Sequence, residues 1–183
     1  MSQLILSHVS KSFVSQGRPD LLLDINLYVE QGECLAIVGP SGAGKTTLLR
    51  MIAGLENVTH GELLIGQKSM SQVPTSGRGL EMVFQQSSLL PHMTLEQNIL
   101  FTIKNRGLSK TDQKLRMKWA SKLFELDTVL HCLPMHLSKE QQQRAALARA
   151  LAPQTALTLF DEPFAGLSGD TRSQLRLVLS QVQ

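Results

Sequence analysis

The spacing of hydrophobic residues changes along this chain, and the change predicts where strands and helices lie. Short apolar runs predict five β-strands, at residues 4–9, 34–38, 63–65, 80–84 and 156–160. The run from Cys34 to Val38 is wholly apolar, which is typical of a strand buried on both faces in a parallel sheet. A polar stretch at residues 16–20 predicts a turn after the first strand.

From about Leu89 to Leu151 the apolar residues follow helical spacing instead. Thr94–Gln97 and Ser109–Asp112 have the residue order of capping boxes, and both predict helix starts. In the second of these helices we expect one apolar stripe to pack in the core, formed by Leu115, Trp119, Leu123 and Leu126. Residues 169–183 predict a further helix with one apolar face. The pattern therefore predicts an α/β fold in which a helical segment interrupts a sheet.

Length and composition predict one domain in a reducing compartment. A chain of 183 residues is long enough for a single sizeable core. Its 18 basic and 15 acidic residues give a net charge of +3, which is too small to predict a nucleic-acid partner. We expect Cys34 and Cys132 to be free thiols. No apolar stretch reaches the roughly 20 residues of a membrane span, and no leader pattern opens the chain, so we expect a cytoplasmic protein.

The segment Gly39–Thr46 matches the phosphate-binding pattern G-x-x-x-x-G-K-[ST] at every fixed position. It lies between the predicted strand at 34–38 and a predicted helix with apolar spacing from Leu48 to Leu55, which we expect to end at Gly54. Glycines let backbone N–H groups surround phosphate oxygens, and the helix N-terminus adds the positive end of its dipole. A glycine-rich turn that only packs tightly is the alternative, but such a turn has no need of Gly-Lys-Thr at this spacing.

This pattern predicts a bound nucleotide and gives its residues separate roles. Lys45 is placed to neutralise phosphate oxygens, and the Thr46 hydroxyl is placed to bind Mg²⁺. The residues that we expect to bind the nucleotide are Gly39, Pro40, Ser41, Gly42, Ala43, Gly44, Lys45, Thr46 and Thr47.

Three further motifs follow the phosphate loop in a fixed order. Gln85 ends an apolar strand, the letters LSKEQQQR at Leu137–Arg144 open a helix, and Asp161-Glu162 end another apolar strand. Together with the phosphate loop, these motifs make the chain resemble the ATP-binding subunit of ABC transporters, from about Leu4 to Gln183.

The resemblance implies a P-loop NTPase three-layer core with a helical insertion subdomain, in one ABC-type ATP-binding domain over residues 1–183. It places the core at about 1–88 and 152–183 and the helical subdomain at about 89–151. It also implies ATP and Mg²⁺ as cofactors.

The resemblance implies roles for single residues as well. Asp161 is similar to the aspartate that holds Mg²⁺ through water, with Thr46 and Gln85 as the other expected metal ligands. Glu162 resembles the catalytic base that polarises the attacking water, and Gln85 the glutamine that links the site to the helical insertion. Phe13 lies where the family places an aromatic ring that stacks on adenine, although a lone Phe near a strand end is more often a core residue.

The signature of the family, LSGGQ, is altered to LSKEQ at Leu137–Gln141. In the family this segment contacts the γ-phosphate of ATP held by the opposite subunit, and Lys139 and Glu140 replace the two glycines that allow the close approach. The carboxylate of Glu140 would repel the negatively charged phosphate. At a separation of ~5 Å and an effective dielectric constant of ~20, this repulsion costs about 3 kcal/mol. Ser138 therefore has two possible roles: binding ATP across a dimer, or capping a helix with Gln141.

Two other departures concern the C-terminal part. Ser168 stands where the family has an aspartate that joins the two sites of a dimer, and no histidine follows His136 to serve as the family's switch histidine. The resemblance implies a further strand and loop beyond the last predicted helix, so we expect the domain to be incomplete at this end, as in a truncated gene product. His131, Cys132 and His136 are too few and too irregular to predict a metal site.

The resemblance implies an ATPase subunit that energises import of a small solute through transmembrane permease subunits. A second ATP-binding subunit, identical or different, completes the site, and the permease holds the protein peripherally on the inner face of the membrane. The stretch Leu89–Leu95 resembles importers for sugars, polyamines, sulfonates or metal ions. The alternative is a truncated or degenerate relative that binds ATP with little or no hydrolysis. A soluble ABC protein of repair or translation is less favoured, because the helical insertion is short.

Overall fold

The computed structural model describes residues 4–13, 18–85 and 89–182, which form two compact units. The first unit extends to Leu80 and the second comprises Glu81–Val182. The predicted division into a core and a helical subdomain stays a prediction.

The first unit contains a four-stranded antiparallel sheet in the order β2-β1-β3-β4. Its strands are β1 (Leu4–Phe13), β2 (Arg18–Val29), β3 (His60–Ile65) and β4 (Lys68–Ser69). Leu4, Leu6 and Val9 of β1 are buried, and the three-residue step from Leu6 to Val9 coincides with an irregularity in the pairing with β2. The sequence-predicted turn at residues 16–20 lies partly outside the described residues, and its second half belongs to β2.

Helix α1 (Lys45–Ala53) follows the phosphate loop, as predicted. Leu48, Met51 and Ile52 are buried, while Leu55 lies beyond the helix and is 42% exposed. Gly54 ends the helix in the left-handed conformation with φ of 79°, and its N–H donates to Met51.

The prediction of a buried strand at residues 34–38 is wrong. These residues are not in a strand, Cys34 is exposed, and the exposed fractions of Leu35 and Val38 are 42% and 88%. A strand is stabilised by the hydrogen bonds of a neighbouring strand, and in the part of the chain that the structure describes no strand pairs with this segment. An apolar run favours burial, but a strand also needs the edge of a neighbouring strand for its backbone hydrogen bonds.

The second unit contains a two-stranded sheet of β5 (Leu80–Val83), all but its first residue, and β6 (Leu157–Phe160), and both strands were predicted. Its helices are α2 (Leu95–Lys104), α3 (Lys110–Leu123), α4 (Lys139–Leu151) and α5 (Gly169–Ser180). Thr94 makes a complete capping box at α2, and Ser109 caps α3 by accepting from the Asp112 N–H. The core of this unit is one cluster that includes Ile99, Ile103, Phe124, Leu147 and Leu175.

The predicted apolar stripe on α3 is only partly confirmed. Leu126 is buried, and Trp119 and Leu123 pack against the core, but Leu115 is 61% exposed. The buried positions of α3 itself are Met117, Ala120 and Ser121. The packed face of α3 therefore contains Met117, Ala120 and Ser121, and Leu115 lies outside it.

Candidate functional site

The phosphate loop, Gly39–Thr46, has a backbone that requires glycine at two positions. Gly42 and Gly44 have φ of 80° and 86°, in the left-handed region that L side chains rarely adopt. A Cβ on Gly44 would also lie 2.8 Å from Leu22 Cδ2. Within the loop the Ala43 N–H donates to the Pro40 carbonyl at 3.3 Å. Conformation thus explains glycine at positions 42 and 44, and the contact with Leu22 is a second reason at position 44.

The N-terminus of α1 has no side-chain cap, because Gly44 occupies the N-cap position, and its first turn holds no acidic residue. The amides at a helix start have no acceptor within the helix, and the helix dipole favours an anion there. The other four α-helices of the described chain each begin with Ser or Thr, which accepts a backbone N–H. This end of α1 fits a phosphate group.

The side chain of Lys45 forms hydrogen bonds to the backbone of the phosphate loop. Its Nζ donates to the carbonyl oxygens of Gly39 and Pro40, both at 2.8 Å. An ammonium group has three donors, so one more hydrogen bond can be made to a phosphate oxygen. The expected role of Lys45 in neutralising phosphate oxygens stays a prediction.

The opposite end of α1 is anchored by Arg78. Its guanidinium donates to the carbonyls of Met51 and Ile52 in α1, and to those of Met70 and Val73. Burial lowers the pKa of Arg78. Sequence reasoning missed this residue, because an isolated arginine gives no signal until the carbonyls around it are placed.

Phe13, the predicted adenine platform, lies half-buried at the end of β1. The Nζ of Lys11 is 4.6 Å from the centroid of its ring. The ring therefore belongs to a polar cluster at the strand end and is not a fully buried core residue.

In the second unit the ends of β5 and β6 bring predicted site residues together. Gln85 Nε2 donates to Glu162 Oε2 at 2.9 Å, across 77 positions in sequence. Asp161 is 8% exposed, and its N–H donates to the Val83 carbonyl at 2.9 Å. Glu162 has φ of 48°, which is unusual for a residue other than glycine and occurs often at functional sites.

The turn after Glu162 is tied to α4 by a residue that sequence reasoning missed. Gln143 is buried, and its Nε2 donates to the Pro163 carbonyl at 2.6 Å. A buried glutamine inside a helix must find a partner, so a polar residue on the inner face of a predicted helix is the signal that could have identified it.

The altered signature begins α4 with a complete capping box. Ser138 Oγ accepts from the Gln141 N–H at 3.1 Å, and Gln141 Oε1 accepts from the Ser138 N–H at 3.0 Å. The capping role of Ser138 is thus confirmed, and a role in binding ATP stays a prediction. Ser168 likewise caps α5, by accepting from the Thr171 N–H.

The charge of Glu140 is paired within the chain. Its Oε1 accepts from Arg144 Nη2 at 3.1 Å. Arg144 is 7% exposed and also contacts Glu125 Oε2 at 2.9 Å and Gln174 Oε1 at 3.1 Å. Arg144 therefore joins the signature helix to α5, and it pairs with two carboxylates, those of Glu125 and Glu140.

The expected metal ligands have the chemistry that Mg²⁺ prefers: a hydroxyl on Thr46, an amide oxygen on Gln85 and a carboxylate on Asp161. Thr46 belongs to the first unit, and the other two belong to the second. The described residues contain no group of three or more His, Cys, Asp or Glu side chains that could hold a metal ion. No helix in the described ranges is long and apolar enough to span a membrane.

Comparison with known proteins gives one consistent result. The family model described as "ABC transporter" matches residues 22–165. Proteins named sn-glycerol-3-phosphate import ATP-binding protein UgpC, from Escherichia coli O1:K1 and Salmonella typhimurium, are 42% identical over 182 residues. These alignments cover 100% of this chain and 51% of each relative, so the chain spans about half their length.

Solved structures agree with this result. A dimeric ATP-binding cassette in a post-hydrolysis state with ADP and Pi matches with a TM-score of 0.84 and 32% identity, covering 96% of this chain and 81% of that chain. The ATP-binding subunit of an ABC transporter matches with a TM-score of 0.86 and 26% identity, covering 98% and 74% of the two chains. The fold is that of a P-loop ATPase cassette.

Proposed function

This chain belongs to the ABC transporter ATP-binding family, and from that premise we propose that it energises import of a small solute by binding and hydrolysing ATP. The observation that carries the proposal is the 2.9 Å hydrogen bond between Gln85 and Glu162, because it joins two side chains to which the family gives catalytic roles. The relatives named as import proteins support the direction of transport.

In this proposal the phosphate loop binds the ATP phosphates. The backbone N–H groups at the start of α1 and the ammonium of Lys45 neutralise their charge, and Phe13 stacks on the adenine. Thr46, Gln85 and Asp161 are the residues that would hold Mg²⁺, which would supply further charge neutralisation.

Glu162 acts as the general base. Gln85 donates to its Oε2, which leaves Oε1 to accept a hydrogen bond from the attacking water. The water oxygen forms a bond to the γ-phosphorus while the bond to the bridging oxygen breaks, giving ADP and inorganic phosphate, and Glu162 takes the proton of the water. The left-handed φ of Glu162 supports a functional constraint at this position.

We further propose that the site is completed by a second ATP-binding subunit, through its Ser138 segment, and that transmembrane permease subunits receive the resulting motion. The dimeric cassettes among the solved relatives support the first partner. The protein would then be cytoplasmic and peripheral on the inner face of the membrane.

The second candidate is a subunit that binds ATP with little or no hydrolysis. It is favoured by one observation, the N-terminus of α4, where Ser138 is engaged in its own capping box and Lys139 and Glu140 replace glycines.

The test measures MgATP binding by calorimetry and phosphate release by the 183-residue chain over a range of protein concentrations. Dimer-dependent hydrolysis predicts a rate that rises more steeply than the concentration. Binding without phosphate release at any concentration supports the second candidate. Absence of binding contradicts both.

A further inference from the structure

Lys11 is a buried cation beside the ring of Phe13. The residue is 8% exposed, and a buried ammonium group needs partners to offset its lost hydration. Its Nζ donates to the Asn57 carbonyl at 2.8 Å, pairs with Glu56 Oε2 at 3.3 Å and lies 4.6 Å from the Phe13 centroid. The three N–H groups of the ammonium are thus matched by a carbonyl, a carboxylate and the face of an aromatic ring.

Lys11 and Phe13 are two positions apart in β1, and although the pairing with β2 is irregular between them, the Lys11 ammonium lies over the Phe13 ring. This end of the strand is also bonded to the chain near Thr59. The Thr59 N–H donates to the Ser10 carbonyl at 3.0 Å, and the Ser12 N–H donates to Thr59 Oγ1 at 3.2 Å. The backbone on both sides of Lys11 is therefore held in place.

The partners of Lys11 lie directly after α1. The Glu56 N–H donates to the Arg50 carbonyl in the last turn of this helix, at 3.2 Å. Lys11 thus connects the strand that holds Phe13 with the helix whose first turn holds Lys45.

We propose that Lys11 is a positioning residue for Phe13 in nucleotide binding. It fixes the ring from one face, so that the other face is presented to the base. The proposal rests on the proposed function, which assigns Phe13 to adenine. Without the ammonium, the ring has more rotational freedom, and stacking of a base must first order it. The effect is therefore specific to ligands that carry a base.

The test compares two ligands of the 183-residue chain by calorimetry: MgATP, and magnesium tripolyphosphate, which has the phosphates without the base. We expect Lys11→Met to weaken MgATP binding by about threefold or more, and to leave tripolyphosphate binding unchanged. Lys11→Arg keeps a cation near the ring and should retain the wild-type affinity for MgATP. The matched control is Lys68→Met, at an exposed lysine on β4, and it should change neither affinity.

Equal losses for both ligands in Lys11→Met would indicate a general structural role and overturn the proposal, as would an unchanged affinity for MgATP. If Lys11→Met does not fold by circular dichroism, Glu56→Gln, which releases Lys11 from its carboxylate, must give the selective loss instead, or the proposal is wrong. An unchanged MgATP affinity in Phe13→Leu overturns this inference and leaves phosphate binding intact. A wild-type chain that binds neither ligand contradicts the proposed function itself.

Discussion

The N-termini of α1 and α4 are built in opposite ways, although the family resemblance places both against phosphate. At α1, Gly44 offers no side-chain acceptor and the first turn has no acidic residue. At α4, Ser138 and Gln141 cap each other's backbone groups, and Glu140 lies in the first turn. A helix start attracts negative charge and hydrogen-bond acceptors. The chain itself supplies these at α4, whereas at α1 neither the N-cap residue nor an acidic residue in the first turn supplies them.

This difference separates two functions. The proposed phosphate binding depends on residues of the first unit alone, because its loop and helix present the donors. A contribution of α4 to a second molecule's ATP requires Ser138 to keep its cap and also donate its own O–H proton. Binding and hydrolysis can therefore be broken independently.

The largest effect is expected at Glu162. A loss of ATP hydrolysis on its substitution would show that the chain hydrolyses ATP although Ser138 and Gln141 cap the N-terminus of α4. Glu162→Gln should lower the rate of ATP hydrolysis by about 10²–10⁴-fold, because an amide cannot accept the proton of water. The affinity for MgATP should stay unchanged in calorimetry. Glu96→Gln, at an exposed acid in the first turn of α2, is the matched control and should retain the wild-type rate. A similar rate in Glu162→Gln and wild type would remove Glu162 from catalysis.

The second-largest effect is expected at Lys45, in the first turn of α1, whose N-terminus has no side-chain cap. Lys45→Ala should weaken MgATP binding by about 10- to 100-fold, since a charge-assisted hydrogen bond to phosphate is lost together with the two bonds that close the loop. Calorimetry measures this change, and Lys68→Ala is the control at an exposed lysine. A variant that binds as tightly as its parent would contradict both proposed functions.

A smaller effect is expected at the cap of α4. Ser138→Ala should lower the free energy of unfolding by about 1 kcal/mol, and Thr94→Ala, at the matching capping box of α2, by a similar amount. Urea denaturation measures both. If Ser138 also contacts ATP in a dimer, hydrolysis falls further in Ser138→Ala than in Thr94→Ala. Equal rates in the two variants would leave Ser138 with capping alone.

The smallest effect is expected at Glu140. If the carboxylate of Glu140 were unpaired, its repulsion of the phosphate would be about 3 kcal/mol. Removal of the charge would then change the rate of ATP hydrolysis by more than about 100-fold. Because Glu140 is paired with Arg144 at 3.1 Å and its side chain is 44% exposed, we expect Glu140→Gln to change the rate of ATP hydrolysis by less than about threefold. Phosphate release measures this change, and a gain near 100-fold would mean that Arg144 does not offset the charge.

The sequence predicted local features well, because they depend on neighbours within a few residues. The start of α4 at Ser138 and the end of α1 at Gly54 follow from side-chain capping and from the conformational freedom of glycine. The stripe on α3 failed at Leu115, since the buried face of a helix is selected by its neighbours as well as by its spacing.

Residues that act over long sequence distances were predicted only when a family motif marked them. Gln85 and Glu162 belong to motifs, and they lie in contact. Arg144 and Gln143 lie in the same helix as the signature, but their partners on other elements could not be derived from the spacing within that helix.

The sequence by itself determined the phosphate loop, the family and the helix ends, because each depends on residue types at short, fixed spacing. The tertiary structure alone decided which backbones and side chains meet. It left residues 34–38 outside the strands, paired Glu140 with Arg144 and placed the ammonium of Lys11 over Phe13. Such contacts depend on packing between distant segments, where an apolar or charged residue has many possible partners and only the folded chain selects one.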